Sequence, residues 1–251
     1  MPTELFRRCS AKIREVEAAD LGCAVADFDS NALVVVPRPA KVLYPEYGAL
    51  IVSCGTGTVG SVDDAHVAWV RENAPRKHWH AFSAAFTTRL AAQIGEKASA
   101  RGASLGFAPS GEPPTPVFDA RFRLDEPGRD WMDEWRTRAQ FDNSLGEAEE
   151  ADWYDRLIKA FVAFDEEGEP AACVTLADDG NGCAEIGLDV RRSWRGQGLA
   201  RPLVGAAMRW AFARGFVPYY TCGASNVRSH LVAESCGFRA LWTATGVIRD
   251  G

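Results

Sequence analysis

Four prolines and a glycine fall within nine residues, Ala108-Pro109-Ser110-Gly111-Glu112-Pro113-Pro114-Thr115-Pro116. No helix or central strand continues through such a run, because proline fixes φ and removes a backbone donor. The chain is therefore expected to divide there: a smaller α/β unit over 1–107, a stiff linker over 108–116, and a second unit over 117–251. A length of 251 residues leaves room for a core on each side.

In the first half, 32–36 and 49–53 read as buried strands. Ser61, three residues ahead of Asp64, suggests a capped helix running to Asn73. Phe82, Phe86, Leu90 and Ile94 form a stripe at four-residue spacing, which predicts a second helix packed on a core. Between strand and helix stands Gly55-Thr56-Gly57-Thr58-Val59-Gly60, a literal Gly-x-Gly-x-x-Gly. A dinucleotide site would continue into a second strand with an acidic end about 20 residues on. Here Ala74-Pro75-Arg76-Lys77-His78-Trp79-His80 intervenes, so the motif is read as a tight glycine turn.

Composition excludes several function classes. No apolar run approaches the ~20 residues of a membrane helix, and the charged N-terminus (Glu4, Arg7, Arg8, Lys12) has no apolar block behind it. A cytoplasmic protein without a membrane partner is expected. Seven cysteines, none in a Cys-x-x-Cys pair, argue against a disulfide framework and a zinc site, and His78 with His80 lack a third ligand, so no metal is expected. The net charge of -6 comes wholly from 117–251, with 16 basic and 22 acidic side chains, whereas 1–116 balances 12 against 12. A nucleic-acid partner is not expected, because phosphate binding needs a basic surface.

After the linker the pattern predicts a strand over 117–124, helices over 131–139 and 149–159, and strands over 161–164 and 171–176 joined as a hairpin. A third strand, 184–190, follows the turn at 178–182. A helix over 199–214 stops at Gly215, and a strand at 217–222, a helix at 226–235 and a strand pair over 239–249 complete the chain.

The stretch most informative for chemistry is Val190-Arg191-Arg192-Ser193-Trp194-Arg195-Gly196-Gln197-Gly198-Leu199-Ala200. A strand ends, the chain turns through two glycines, and an apolar-faced helix begins. Such a turn aims several backbone N–H groups into one concavity at the positive end of a helix dipole, a site for a phosphate or pyrophosphate. Downstream, Asn226 precedes Gly237-Phe238 by eleven and twelve positions.

Arg195-x-x-Gly198-x-Ala200 is similar to the Arg/Gln-x-x-Gly-x-Gly/Ala signature of the GNAT N-acetyltransferase superfamily, and the Asn226 to Gly-Phe spacing resembles that family's next helix and strand. The resemblance covers 117–251, with motif strength over 184–238. It implies a mixed α/β sheet with splayed central strands and acetyl-CoA held between them. Main-chain groups of Leu188, Asp189 and Val190 would then pair with the pantetheine. Arg195, Gly196, Gln197, Gly198, Leu199 and Ala200 would hold the pyrophosphate, with Arg201 nearby. Asn226 and Ser229 would face the pantetheine, although Ser229 suits helix capping equally well. Arg191 and Arg192 suit either the 3′-phosphate or solvent. The first half is compatible with a degenerate GNAT-like region walling one side of an acceptor cleft.

Catalysis needs a neutral amine. An alkyl ammonium with a pKa near ~10.4 costs about 4–5 kcal/mol to deprotonate at pH 7, so a positioned base is required. By the resemblance that base is Glu185, which begins the strand leading into the loop; Asp189 lies on the same face. The family's usual general acid is a tyrosine seven residues after the asparagine, where this chain has Ala233. Tyr219 and Tyr220 are candidate substitutes. Acidic residues at Glu147, Glu149, Glu150, Asp152 and Asp155, and at Asp165, Glu166, Glu167 and Glu169, suit either a solvated surface or a cationic acceptor. The expected function is acetyl transfer from acetyl-CoA to a primary amine of a small molecule, cationic or antibiotic-like, or of a peptide. A non-catalytic CoA-binding sensor is the alternative.

Overall fold

The computed structural model describes residues 2–138, 140–146 and 151–249. The chain forms two compact units. The larger comprises Met1–Cys9, Ala108–Thr221 and Arg228–Arg239; the smaller comprises Ser10–Phe107, Cys222–Val227 and Ala240–Gly251.

The chain opens with α1 (Glu4–Leu21), a helix that the sequence reading missed. In the smaller unit, β1 (Leu33–Pro37) runs parallel to β3 (Thr58–Val62), and β2 (Tyr47–Ser53) lies antiparallel to β3. The glycine motif is thus the hairpin between β2 and β3, and it leads into a strand, not a helix. Gly57 is needed there: a Cβ would stand 2.7 Å from the Asp27 carbonyl oxygen and from Ser30 Oγ. The expected capping serine, Ser61, is buried within β3, and α2 (Asp64–Asn73) starts after Asp63. Helix α3 (Ala84–Ile94) is capped by Ser83, whose Oγ accepts from the Phe86 N–H at 3.3 Å. Its Phe86 and Leu90 join Val35, Ile51, Val62, Val70 and Val247 in one core. Strands β4 (Ser99–Ala100) and β5 (Ser104–Pro109) complete this half of the chain.

In the larger unit an antiparallel meander runs through β6 (Arg123–Asp125), β7 (Leu157–Phe164), β8 (Pro170–Asp178) and β9 (Cys183–Val190). The expected strand over 117–124 is therefore confined to its last residues. Three short helices, α4 (Arg129–Arg136), α5 (Asp142–Leu145) and α6 (Ala151–Asp155), cover one face, with Met132, Trp135, Phe141, Leu145 and Tyr154 packed on Ala160, Val162, Cys173 and Ala177. The helix expected over 149–159 stops early because Leu157 already pairs with Ala177 on β8. Helix α7 (Ala200–Ala213) packs on β7, β8 and β9 through a face that includes Leu203, Val204, Ala207 and Met208. It ends at Gly215, φ +81°, with the Phe216 N–H reaching back to the Ala211 carbonyl at 3.0 Å.

Strand β10 (Val217–Gly223) lies parallel to β9, and α8 (Val227–Ser235) and β11 (Phe238–Ile248) come after it. The expected pair over 239–249 is this single strand, which pairs with β2 and β4. The proline segment is packed rather than loose. Arg209 donates to the carbonyls of Pro113 and Pro114 at 2.9 and 2.6 Å, and Gly205 lets Pro114 sit against α7, where a Cβ would meet its oxygen at 2.1 Å. Among the described residues no helix is long and apolar enough to cross a membrane.

Candidate active site

The parallel pair of β9 and β10 carries the arrangement. The two strands pair from Cys183–Val217 to Ile186–Tyr220, and beyond that point β9 continues to Val190 paired with β8. The strands separate where a parallel ladder would ordinarily go on.

Alternation sends Glu185, Gly187 and Asp189 to one face of β9, opposite Ala177, Thr175 and Cys173 of β8. The Glu185 side chain is buried at 7% exposure. Its register partner Tyr219 donates a hydroxyl to Glu185 Oε2 at 3.3 Å, and Thr221, two residues on and on the same face, donates to Oε1. A buried carboxylate needs such partners, and two donors also hold it in one rotamer. The sequence reading missed Thr221. The signal was its period-two relation to Tyr219, but only the β9–β10 register places that face on Glu185.

Asp189 serves a different end. Its carboxylate accepts from Asn143 Nδ2 at 2.6 Å and from the Ser144 N–H and Oγ at 2.8 and 2.9 Å. Ser144 is fully buried, and its carbonyl accepts from Thr175 Oγ1 at 2.5 Å and Trp153 Nε1 at 3.3 Å. These bonds pin α5 to the sheet beside the Glu185 face. Asp189→Ala strands the buried Ser144 donors, so urea unfolding should show a loss of about 2–4 kcal/mol. An unchanged unfolding midpoint would mean that water replaces the carboxylate without cost.

After Val190 the chain makes a 3-10 turn (Arg192–Trp194) and enters the glycine loop, with φ +79° at Gly196 and +77° at Gly198. A side chain at either glycine would meet open space, so backbone conformation rather than crowding selects glycine. Leu199 is buried and anchors the loop, and Ala200 and Arg201 form the first turn of α7, with Arg201 exposed. Arg195 donates Nε to the Val190 carbonyl at 3.1 Å, and Gln197 Oε1 accepts from Arg121 at 3.3 Å. An open cleft of about 630 Å³ is lined by Gln140, Asp189, Val190, Arg191, Arg192, Ser193 and Arg195. Arg191 turns back to the Pro170 carbonyl at 3.0 Å and pairs with Glu169 at 3.5 Å, while Arg192 and Arg195 stay exposed.

Leu188 and Val190 pair with Val174 and Ala172 of β8, beyond the end of the β10 ladder. Ser229, in α8, lies 2.8 Å from the Tyr220 hydroxyl. Asn226 immediately precedes α8 and donates its N–H to the Gly223 carbonyl at 2.9 Å; it groups with the smaller unit. Ala233 is buried at 1% exposure. Of the acidic residues, Glu147, Glu149 and Glu150 lie outside the described residues, Asp155 pairs with Arg129 at 3.8 Å, and Asp165 caps the β7–β8 hairpin through the Glu169 N–H at 2.8 Å.

No curated protein sequence matches the chain. Among solved structures it is similar to a GCN5-related N-acetyltransferase from Kribbella flavida, at 17% identity over 96% of each chain with a TM-score of 0.51. It is also similar to a Drosophila protein, at 13% identity over 98% of this chain and 89% of that one, with a TM-score of 0.50. At these identities the likeness is one of fold. The model of the acetyltransferase (GNAT) family matches residues 125–238, a segment that runs from the end of β6 to the start of β11 and holds Glu185, the glycine loop and α8. That match and the separated β9–β10 pair identify residues 125–238 as a domain of the GNAT acetyltransferase family.

Proposed function

We propose that the protein transfers an acetyl group from acetyl-CoA to a primary amine, with Glu185 as the general base. The observation that carries this reading is the placement of one buried, doubly hydrogen-bonded carboxylate on β9, beside the point where β10 diverges, with an anion-suited glycine loop at the other end of the same strand. In this reading the main chain of Leu188, Asp189 and Val190 pairs with the pantetheine. The loop from Arg195 to Ala200, with Arg201, holds the pyrophosphate, and Arg192 and Arg195 supply positive charge beside it. Ser229 belongs to the pantetheine side. Glu185 takes the proton as the amine nitrogen attacks the thioester carbonyl, and fixed placement of the two reactants supplies much of the rate. A small cationic amine is the proposed acceptor. A CoA-binding module without turnover is the second reading, favoured by the buried Ala233 in place of a phenol on α8.

Acetyl-CoA titrated calorimetrically into the wild type and into Gly198→Glu tests the cofactor site. The new carboxylate would face the pyrophosphate and sit at φ +77°, so affinity should fall at least about a hundredfold, or ~3 kcal/mol. No binding by folded wild type would overturn the reading. Thiol release from acetyl-CoA with polyamines, aminoglycosides, amino sugars and amino-acid amides then separates the two readings, since a sensor binds without turnover.

A further inference from the structure

The glycine loop has little of its own to hold it. Gly196 and Gly198 stand at positive φ, and a Cβ added at either would meet nothing within 4 Å. The bonds inside the turn are long: the Arg195 N–H reaches the Arg192 carbonyl at 3.5 Å, and the Gln197 N–H reaches the Trp194 carbonyl at 3.4 Å. Two glycines in an unpacked turn have much conformational freedom to lose. An anion that met such a loop loose would have to order it, at the expense of affinity.

A segment distant in sequence lies against it. Just ahead of β6, the Phe122 ring is buried at 6% exposure and meets Trp194 edge-on, with centroids 5.1 Å apart. Its neighbour Arg121 donates to Gln197 Oε1, between the two glycines, at 3.3 Å. Asp119 fixes the same guanidinium, accepting from Nε at 3.0 Å and from Nη2 at 3.2 Å. Asp119 also accepts from the Arg121 N–H at 3.0 Å, and its carbonyl accepts from the Phe122 N–H at 2.9 Å. Residues 119–122 are thus a closed turn that presents one ring and one guanidinium to the loop. Upstream, the proline segment is fixed to α7 through Arg209 and Gly205; downstream, β6 is paired with β7. The turn is anchored on both sides, and it touches the loop at Trp194 and Gln197, to either side of Gly196. Both contacts use side chains and take none of the loop's backbone donors.

We propose that residues 119–122 are a brace that holds the glycine loop in its anion-ready form, with Phe122 and Arg121 as positioning residues that act through Trp194 and Gln197. The anion is the pyrophosphate of CoA, so the ligand rests on the acetyltransferase reading above. With the brace in place the loop meets its ligand already ordered. Without it, part of the binding free energy goes into ordering two glycines.

The test sets two measurements on the full chain side by side: backbone order parameters of the Gly196 and Gly198 amides by nuclear magnetic resonance without ligand, and calorimetric affinity for acetyl-CoA. The wild type should show order parameters of about 0.85 at both amides, and Arg121→Ala and Phe122→Leu should fall toward about 0.6. Both variants should bind acetyl-CoA about tenfold more weakly. Arg121→Lys keeps a donor for Gln197 and should recover part of each loss. Adding Arg121→Ala to Gln197→Ala should cost nothing further, because the guanidinium acts through that side chain. Arg123→Ala removes an exposed side chain that pairs with Asp125 at 2.7 Å, and it should match the wild type in both measurements. Arg121 is exposed, so its loss should leave the fold intact, and it decides the matter if Phe122→Leu fails to fold. Wild-type order in Arg121→Ala would overturn the proposal; weaker binding with an unchanged loop would make Arg121 a direct contact of the anion instead. A loosened loop that binds acetyl-CoA as tightly as the wild type would overturn it too. Absence of binding by the wild type would remove the acetyl-CoA reading, whereas the order parameters would still decide whether the brace holds the loop.

Discussion

Glu185→Gln is expected to lower kcat at pH 7 by about 10²–10⁴-fold, some 3–5 kcal/mol of transition-state stabilisation, with acetyl-CoA affinity unchanged. The change is nearly isosteric. A glutamine carbonyl still accepts from Thr221 or Tyr219, the two hydroxyls that hold the carboxylate, so the packing beneath the site is kept and only the ability to take a proton is lost. The deficit should depend on pH in a way that a packing defect would not. Each unit of pH raises the fraction of neutral amine tenfold until the amine's own pKa, near ~10.4 for an alkyl ammonium. The variant should therefore recover toward the wild type as pH rises through that range. Steady-state thiol release across pH, with calorimetric affinity measured in parallel, checks both parts. A variant as fast as the wild type at pH 7 would remove Glu185 from the reaction, and loss of rate together with loss of acetyl-CoA affinity would make it a structural residue.

Strands β7, β8 and β9 were legible because they are largely buried and bounded by turn residues. The hairpin at Asp165 to Pro170, the turn at Asp178 to Gly182 and the stop at Gly215 are local chemistry, and they stand where the pattern put them. The glycine loop was legible for the same reason: positive φ at Gly196 and Gly198 is a backbone demand written into the residue type. The features that escaped depend on tertiary pairing. Helix α1 is the exception: its Phe6, Cys9, Ile13 and Val16 stand at helical spacing, and Cys9, Ile13, Ala18 and Leu21 are buried, so its stripe was there to be read. Helix α5 is four residues long and has no period to read; the Asp189 carboxylate and the space left by Gly187 hold it in place. Thr221 became a partner of Glu185 only through the register of β10. The literal Gly-x-Gly-x-x-Gly misled about the element it leads into, because Gly60 sits inside a buried strand that pairs on both sides. The loop itself was legible; its supports were not.

Gly187→Val should be the most destabilising single substitution near the site, costing upwards of about 4 kcal/mol in urea unfolding. A Cβ at Gly187 would stand 2.3 Å from the Asn143 carbonyl oxygen, 2.9 Å from Ser144 Cα and 3.0 Å from Trp153 Cζ2. Two of the three are backbone atoms and cannot swing aside as a long side chain would. Helix α5 must then lift from β9. Crowding alone costs about 1–3 kcal/mol, and lifting α5 also breaks the bonds of Ser144 to Asp189, Thr175 and Trp153. Thr175 is fully buried, so its hydroxyl would lose its acceptor in a place water does not reach. A stranded buried donor adds about 1–3 kcal/mol. Gly187→Ala carries the same clash with a smaller side chain and should lie between the valine variant and the wild type. Gly128→Ala, where a Cβ meets nothing within 4 Å, should stay within about 0.5 kcal/mol. If Gly187→Val unfolded at the wild-type urea concentration, α5 would not be seated against β9. The cover beside Glu185 would then have to be sought in another element.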